Sequence, residues 1–369
     1  MERPIFKPVG TPVEQLDTPS LIVNIEALES NIAAMAGFFK DKKAKLRPHI
    51  EVHRTPAIAH KQLAAGGTVG GIAVSTVGQG EVFAQSGFTD VFVGNVIVTG
   101  PKIARLCALA RQAKVTVAVD SLKNVGDLSE AAVANGVMLN VVVYVHTRVN
   151  LLGVEPGKPA VDLARAIKSA PGLNFAGLMS YEGRILPENG NDPVAESKKW
   201  AQVVLDTRQD IEKAGIKVDV VSLGNTSNYQ TVAAMPGVTE VPAGTYALMD
   251  ARYAGKVPQF KSAAKVLCTV TSLPEPGLII TDGGQKTIGA DTGLPAIDNV
   301  PTYRVKGLSA EHGSIFADHA VTAKFKLGDK VWVTPFDMGT CANLHDYIFA
   351  ARNGKLEAVW NVQARGHYR

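Results

Sequence analysis

The stretch RPHIEVHRTP, residues 47–56, gathers ionisable side chains at what reads as a strand end. Glu51 and His53 could serve there as a general acid/base pair, with burial raising the carboxyl pKa of Glu51. Two further groups, His146 in YVHTR and Glu182 in SYEG, stand at other strand ends. Two histidines and two carboxylates also make a workable ligand set for Zn, Mn or Fe, with Mg admissible through the carboxylates. Such a metal would polarise a carbonyl or hydroxyl and stabilise an enolate. Either route suits carbon–carbon lyase or dehydratase chemistry on a small hydroxy acid. The plainer reading is that these groups satisfy one another, Glu51 pairing with His53 or Arg148, in a non-catalytic small-molecule binder.

Positioning these groups takes a repeated unit. From about residue 20 to 250, short Val- and Ile-rich runs alternate with stretches of helical periodicity. The candidate strands are LIVN, KLRPHIE, GIAVST, DVFVGN, VTVAVDS, LNVVVYVHT, FAGLMSYEG, VVSLGN and EVPAGTYAL. In NIEALESNIAAMAGFF, the residues Leu28, Ile32, Met35 and Phe39 share one helical face. Such β-α alternation over about 230 residues predicts a closed (β/α)8 barrel rather than an open sheet. Chemistry in that fold collects at the C-terminal strand ends. The turns Gly224-Asn225-Thr226 and Gly244-Thr245-Tyr246 follow the last two strands, where barrels bind phosphate or carboxylate through backbone N–H groups. After residue 255 the texture becomes β-rich, as in AAKVLCTVTSL, GLIITDGG, DKVWVTP and LEAVWNVQ. The expected division is a barrel over 19–255 and an all-β domain made of 1–18 and 256–369. Asp120-Ser121 reads as a helix cap, His49 as a packed core histidine and Cys341 as structural.

Composition bounds the partners. A net charge of +4, scattered along the chain, argues against nucleic acid. No apolar run approaches the roughly 18 residues of a membrane helix. Three separated cysteines suit a reducing cytoplasm better than a disulfide framework.

The chain resembles the D-threonine aldolase / D-serine dehydratase-like family, relatives of the alanine racemase fold (fold type III of pyridoxal-phosphate enzymes). The resemblance is carried by DTPSLIVNIEALESNI, RPH at 47–49, VSTVGQGEV at 74–82, GLMSYEG at 177–183, EVPAGTYALMD at 240–250 and AEHG at 310–313. LGDKVWVTP, CANLHD and VWNVQARG match in outline. It implies a barrel plus a β domain, paired as a homodimer. The family writes the first strand end as R-P-H-x-K-x-H-K, and its lysine forms the Schiff base. Here that position is Glu51, and a carboxylate forms no imine. The family arginine that faces the pyridine nitrogen falls at Leu151. His146 stands where the family has an acid, and Glu182 where Tyr-His-Gly has its histidine, so Tyr181-Glu182 form the altered pair. The family metal motif becomes Pro335-Phe336-Asp337-Met338-Gly339, leaving Asp337 and His312 as ligand candidates in the β domain. The expectation is a divergent lyase without a pyridoxal Schiff base, metal-assisted or run by a Glu/His pair. The competing one is a pseudoenzyme. Lys286 would be the substitute amine if pyridoxal chemistry survived.

Overall fold

The computed structural model describes residues 7–149, 151–188, 190–298, 302–317 and 325–369. The chain forms two compact units. One comprises 1–34, 52–57 and 245–365, and the other 35–51, 58–244 and 366–369.

The first strand, β1 (Ser20–Asn24), is followed by eight parallel strands: β2 (Lys45–Pro48), β3 (Ile72–Val74), β4 (Asp90–Val96), β5 (Lys114–Val119), β6 (Leu139–Tyr144), β7 (Leu173–Met179), β8 (Val220–Ser222) and β9 (Glu240–Ala243). They run in the order β2-β9-β8-β7-β6-β5-β4-β3. Isolated parallel bridges, Leu46 to Thr68 and His49 to Ala73, bring the two ends of the sheet together and nearly close a barrel. Helices separate the strands: α1 (Ile25–Phe39), α2 (Pro56–Ala64), α3 (Val77–Gln85), α4 (Gly100–Ala110), α5 (Leu122–Asn135), α6 (Lys158–Ser169), α7 (Pro193–Lys213) and α8 (Tyr229–Ala233). Local chemistry sets their limits. Thr76 and Ser121 each cap a helix by accepting a backbone N–H, and Gly136, at φ 63°, ends α5 in the left-handed region. Inside the barrel, period-two alternation packs Ala73, Phe92, Ala118, Val142, Tyr144, Ala176 and Met179 together. The β/α barrel expected from the sequence is present.

The second sheet lies in the other unit. It consists of β10 (Ala264–Glu275), β11 (Leu278–Thr281), β12 (Ala296–Ile297), β13 (Tyr303–Leu308), β14 (Gly313–Ala317), β15 (Lys330–Thr334), β16 (Tyr347–Arg352) and β17 (Lys355–Asn361), with β1 inserted between β10 and β16. Two short helices, α9 (Gln285–Ile288) and α10 (Met338–Asn343), interrupt this strand-rich region. The LIVN segment is therefore not a barrel strand. It pairs antiparallel with β10 and parallel with β16. An apolar four-residue run suits any buried strand, and only its distant partners decide which sheet takes it. The segment ahead of it follows the same sheet, with Gly10 N–H donating to the Leu356 carbonyl at 2.7 Å and Val13 N–H to that of Gly354 at 3.0 Å.

Candidate active site

Five barrel strand ends carry the candidates of that unit. Glu51 follows β2, His146 follows β6, Tyr181 and Glu182 follow β7, Gly224–Thr226 follow β8 and Gly244 follows β9. His53, Thr245, Tyr246, His312 and Asp337 belong to the other unit.

Glu182 is a carboxyl taken out of water. It is buried at 4% exposure. Burial pushes its carboxyl above the usual carboxylate range, against hydrogen bonds from Asn228 and the Gly224 backbone and the charge of Arg148. Asn228 Nδ2 donates to its Oε1 at 2.6 Å. The loop after β8 exists to hold that contact. Asn228 Oδ1 accepts the Asn225 N–H at 2.9 Å, and Asn225 Oδ1 accepts from Ser227 N and Oγ at 2.8 and 2.7 Å. Asn225 Nδ2 closes the other side by donating to the Gly183 carbonyl at 2.9 Å. The segment read as an anion cradle thus spends its asparagine side chains on its own loop and on Glu182. Gly244 is required for a different reason, since a Cβ there would stand 2.2 Å from the His49 carbonyl oxygen. Thr245 and Tyr246 enter a 3-10 turn, and Tyr246 is fully buried beside Phe260, with ring centroids 5.6 Å apart.

Below Glu182, Tyr181 packs half-buried against the barrel cluster. Its backbone supports Tyr144, whose hydroxyl burial pushes up to about 12. His146 stands two residues past Tyr144. Its Nδ1 lies 3.1 Å from Glu155 Oε1, and its Nε2 is buried without a partner. Glu155 arrives because the chain after β6 folds back: Val154 N–H donates to the Tyr144 carbonyl at 3.0 Å and His146 N–H to that of Val154 at 2.8 Å. Only glycine fits at 153, where φ is +110° and a Cβ would stand 2.7 Å from the His146 nitrogen. Its N–H donates to Asp120 Oδ2 at 3.3 Å. Ser222, which ends β8, carries a buried hydroxyl that also has no partner. Glu155, Ser222 and Asn228 were not legible as site residues, because a lone Glu, Ser or Asn near a turn has no distinctive spacing.

Glu51 is half-buried, and its N–H donates to His49 Nδ1 at 3.3 Å. His53 is fully buried, with Nδ1 accepting the Thr55 N–H at 3.1 Å. Among the described residues, no three His, Cys, Asp or Glu side chains come together as a group able to hold a metal ion. Asp337 uses Oδ1 to cap α10 at Thr340 N, 3.0 Å away, and Oδ2 faces Arg252 at 3.3 Å. Gly339 offers only its carbonyl, taken by Arg54 Nη1, and His312 is exposed. No described barrel strand ends on lysine: Lys45 and Lys114 begin theirs. Lys286 pairs with Glu311 and is 68% exposed.

An alanine-racemase-type barrel joined to a serine-dehydratase-type strand domain defines the class, the architecture of fold type III pyridoxal-phosphate enzymes. The family model for the alanine racemase N-terminal domain matches residues 23–251, and a serine dehydratase domain model matches residues 263–351. The chain belongs to the D-threonine aldolase / D-serine dehydratase-like family. It is 33% identical over 365 residues to a D-threonine aldolase of Arthrobacter sp, covering 98% of this chain and 96% of that one. It is 31% identical over 369 residues to the 3-hydroxy-D-aspartate aldolase of Paracoccus denitrificans, covering 97% and 94%. The crystal structure of D-threonine aldolase from Filomicrobium marinum superposes with a TM-score of 0.94 at 34% identity, covering 98% of this chain and 99% of that one. Among the described residues no helix is long and apolar enough to cross a membrane.

Proposed function

We infer that the protein is a lyase that removes water from a small hydroxy acid by acid–base catalysis, with no imine to a lysine. The observation that carries this is Glu182, a buried carboxyl at the barrel mouth held by Asn228, whose protonated form burial favours. A neutral carboxylic acid is a proton donor suited to a leaving hydroxyl. Glu51 stands where the family resemblance places an amine. A carboxyl forms no imine with a carbonyl, and it accepts a hydrogen bond from the same hydroxyl. Tyr181 and Tyr144 line the apolar side and limit water. In relatives, pyridoxal phosphate supplies an electron sink. Here the substrate's own carboxyl group takes up the charge, and the residues move only protons. The names of the relatives, aldolases and a dehydratase, support the lyase class.

The test is turnover of D-threonine, 3-hydroxy-D-aspartate and the matching 3-hydroxy acids lacking the amine, without added pyridoxal phosphate. Glu182→Gln keeps the Asn228 hydrogen bond but has no acidic proton. It should lower kcat by about 10²- to 10⁴-fold and leave KM nearly unchanged. The pH profile should fall as pH rises through the raised Glu182 pKa, because the donor form is then lost. Binding of these compounds with no turnover by the intact protein would favour the non-catalytic binder instead.

A further inference from the structure

We propose that His146, with its tautomer fixed by Glu155, is the base that takes the carbon-bound proton from the substrate. The proposal rests on the acid–base reading above and names the missing half of it.

Glu155 is 73% exposed, and an ionised carboxylate only accepts. Its contact with Nδ1 at 3.1 Å therefore places the imidazole proton on Nδ1. Nε2 is then left as a bare lone pair, and it is buried with no partner. A buried polar atom without a partner is rare and calls for a ligand or a function. Strand alternation puts residue 146 on the same side as Tyr144, which lies in the barrel's inner cluster. The partnerless Ser222 hydroxyl repeats the pattern at β8: Val220, two residues earlier, packs against the same cluster. Two unsatisfied polar atoms at inward positions of separate strand ends point to a polar molecule seated between them.

The arrangement is built for this purpose. Gly153 lets the chain turn back against the strand end, and that turn delivers Glu155. A carboxylate on the far nitrogen orients the ring and stabilises the imidazolium that forms when Nε2 takes a proton.

The step balances without a co-reactant. Nε2 removes the proton from the carbon beside the substrate carboxyl. The C–H electron pair passes onto the substrate carboxyl as an enolate, then returns to form the new C=C bond as the C–O bond to the hydroxyl breaks. The leaving oxygen keeps that bond's pair and receives the Glu182 proton, departing as water. Return of the proton from His146 to Glu182 restores both groups.

The experiment has two readouts. The first needs no substrate: nitrogen NMR of the ring, assigned by its loss in His146→Gln, should show the Nδ1–H tautomer. Glu155→Ala should shift it to Nε2–H, and Glu155→Asp should restore it. An Nε2–H ring in the intact protein would overturn the proposal. The second is exchange of the carbon-bound proton of D-threonine and 3-hydroxy-D-aspartate with deuterated water. Glu182→Gln should retain exchange while losing dehydration. His146→Gln should lose exchange by roughly a hundredfold or more, and exchange at the intact rate would refute the assignment. If the intact protein neither exchanges nor dehydrates any probe, the lyase reading fails, and the tautomer still decides whether the dyad exists.

Discussion

Glu182 takes its acidity from a contest between burial and a few hydrogen bonds, so single contacts tune it. Burial raises its pKa, while Asn228 pulls the other way by favouring the charged form. Asn228→Ala removes that opposition. The acid form should persist to higher pH, and the alkaline limb of a kcat profile should move upward. A limb that moves downward would show that Asn228 acts on Glu182 in some other way. Gly153 carries a different constraint. Alanine there meets the His146 nitrogen at 2.7 Å and adopts φ +110°. Gly153→Ala should cost at least about 2 kcal/mol in urea unfolding. It should also release Glu155, so the His146 tautomer and the stability should change together.

At the scale of elements, barrel closure depends on Arg47 of β2. Its guanidinium donates to Glu240 of β9 twice, at 2.8 and 2.7 Å, and to Asp90 of β4 at 2.8 Å, stacking over Phe92 with 5.4 Å to the ring centroid. β2 and β3 share only bridges, so this ion cluster ties β2 to β4 across the weakest seam. Arg47→Met leaves the Glu240 carboxylate buried and uncompensated, a loss of about 3–5 kcal/mol. The double variant Arg47→Met, Glu240→Leu should recover much of it, as denaturant melts would show. These strands were legible in the sequence because Val- and Ile-rich runs at regular spacing have few other uses. The barrel strand ends could be read for polar groups in the same way; β1 could not be placed, because its sheet is chosen by β10 and β16 far along the chain. Glu51, His146 and Glu182 were legible as polar residues at strand ends. Their partners were not: Asn228 and Glu155 meet them only through loop folding, which no periodicity encodes.

For the molecule as a whole, the family frame is kept while the residues at the positions singled out in the sequence differ. Both family domains match, yet position 51 is an acid and the Asp337 oxygens are spent on Thr340 and Arg252. A protein built this way should work with neither a chelatable metal nor a covalently held pyridoxal. Native mass spectrometry of protein purified without chelators or metal-affinity steps should show no mass added to the chain or its dimer by metal or pyridoxal phosphate, and chelator treatment should leave turnover unchanged. A stoichiometric divalent metal, with activity lost on its removal, would return the ligand role to the residues around Asp337 or His146. Incubation with pyridoxal phosphate followed by borohydride reduction should add no label at residue 51. Glu51→Lys restores an amine at the family position, and the same treatment should then attach pyridoxal phosphate there. Attachment in the variant alone would mean that the barrel retains its anion-binding turns and that one carboxylate bars the older chemistry. Labelling of the unaltered chain at Lys286 would mean instead that a second amine reaches the cofactor, and the imine-free reading would have to be abandoned.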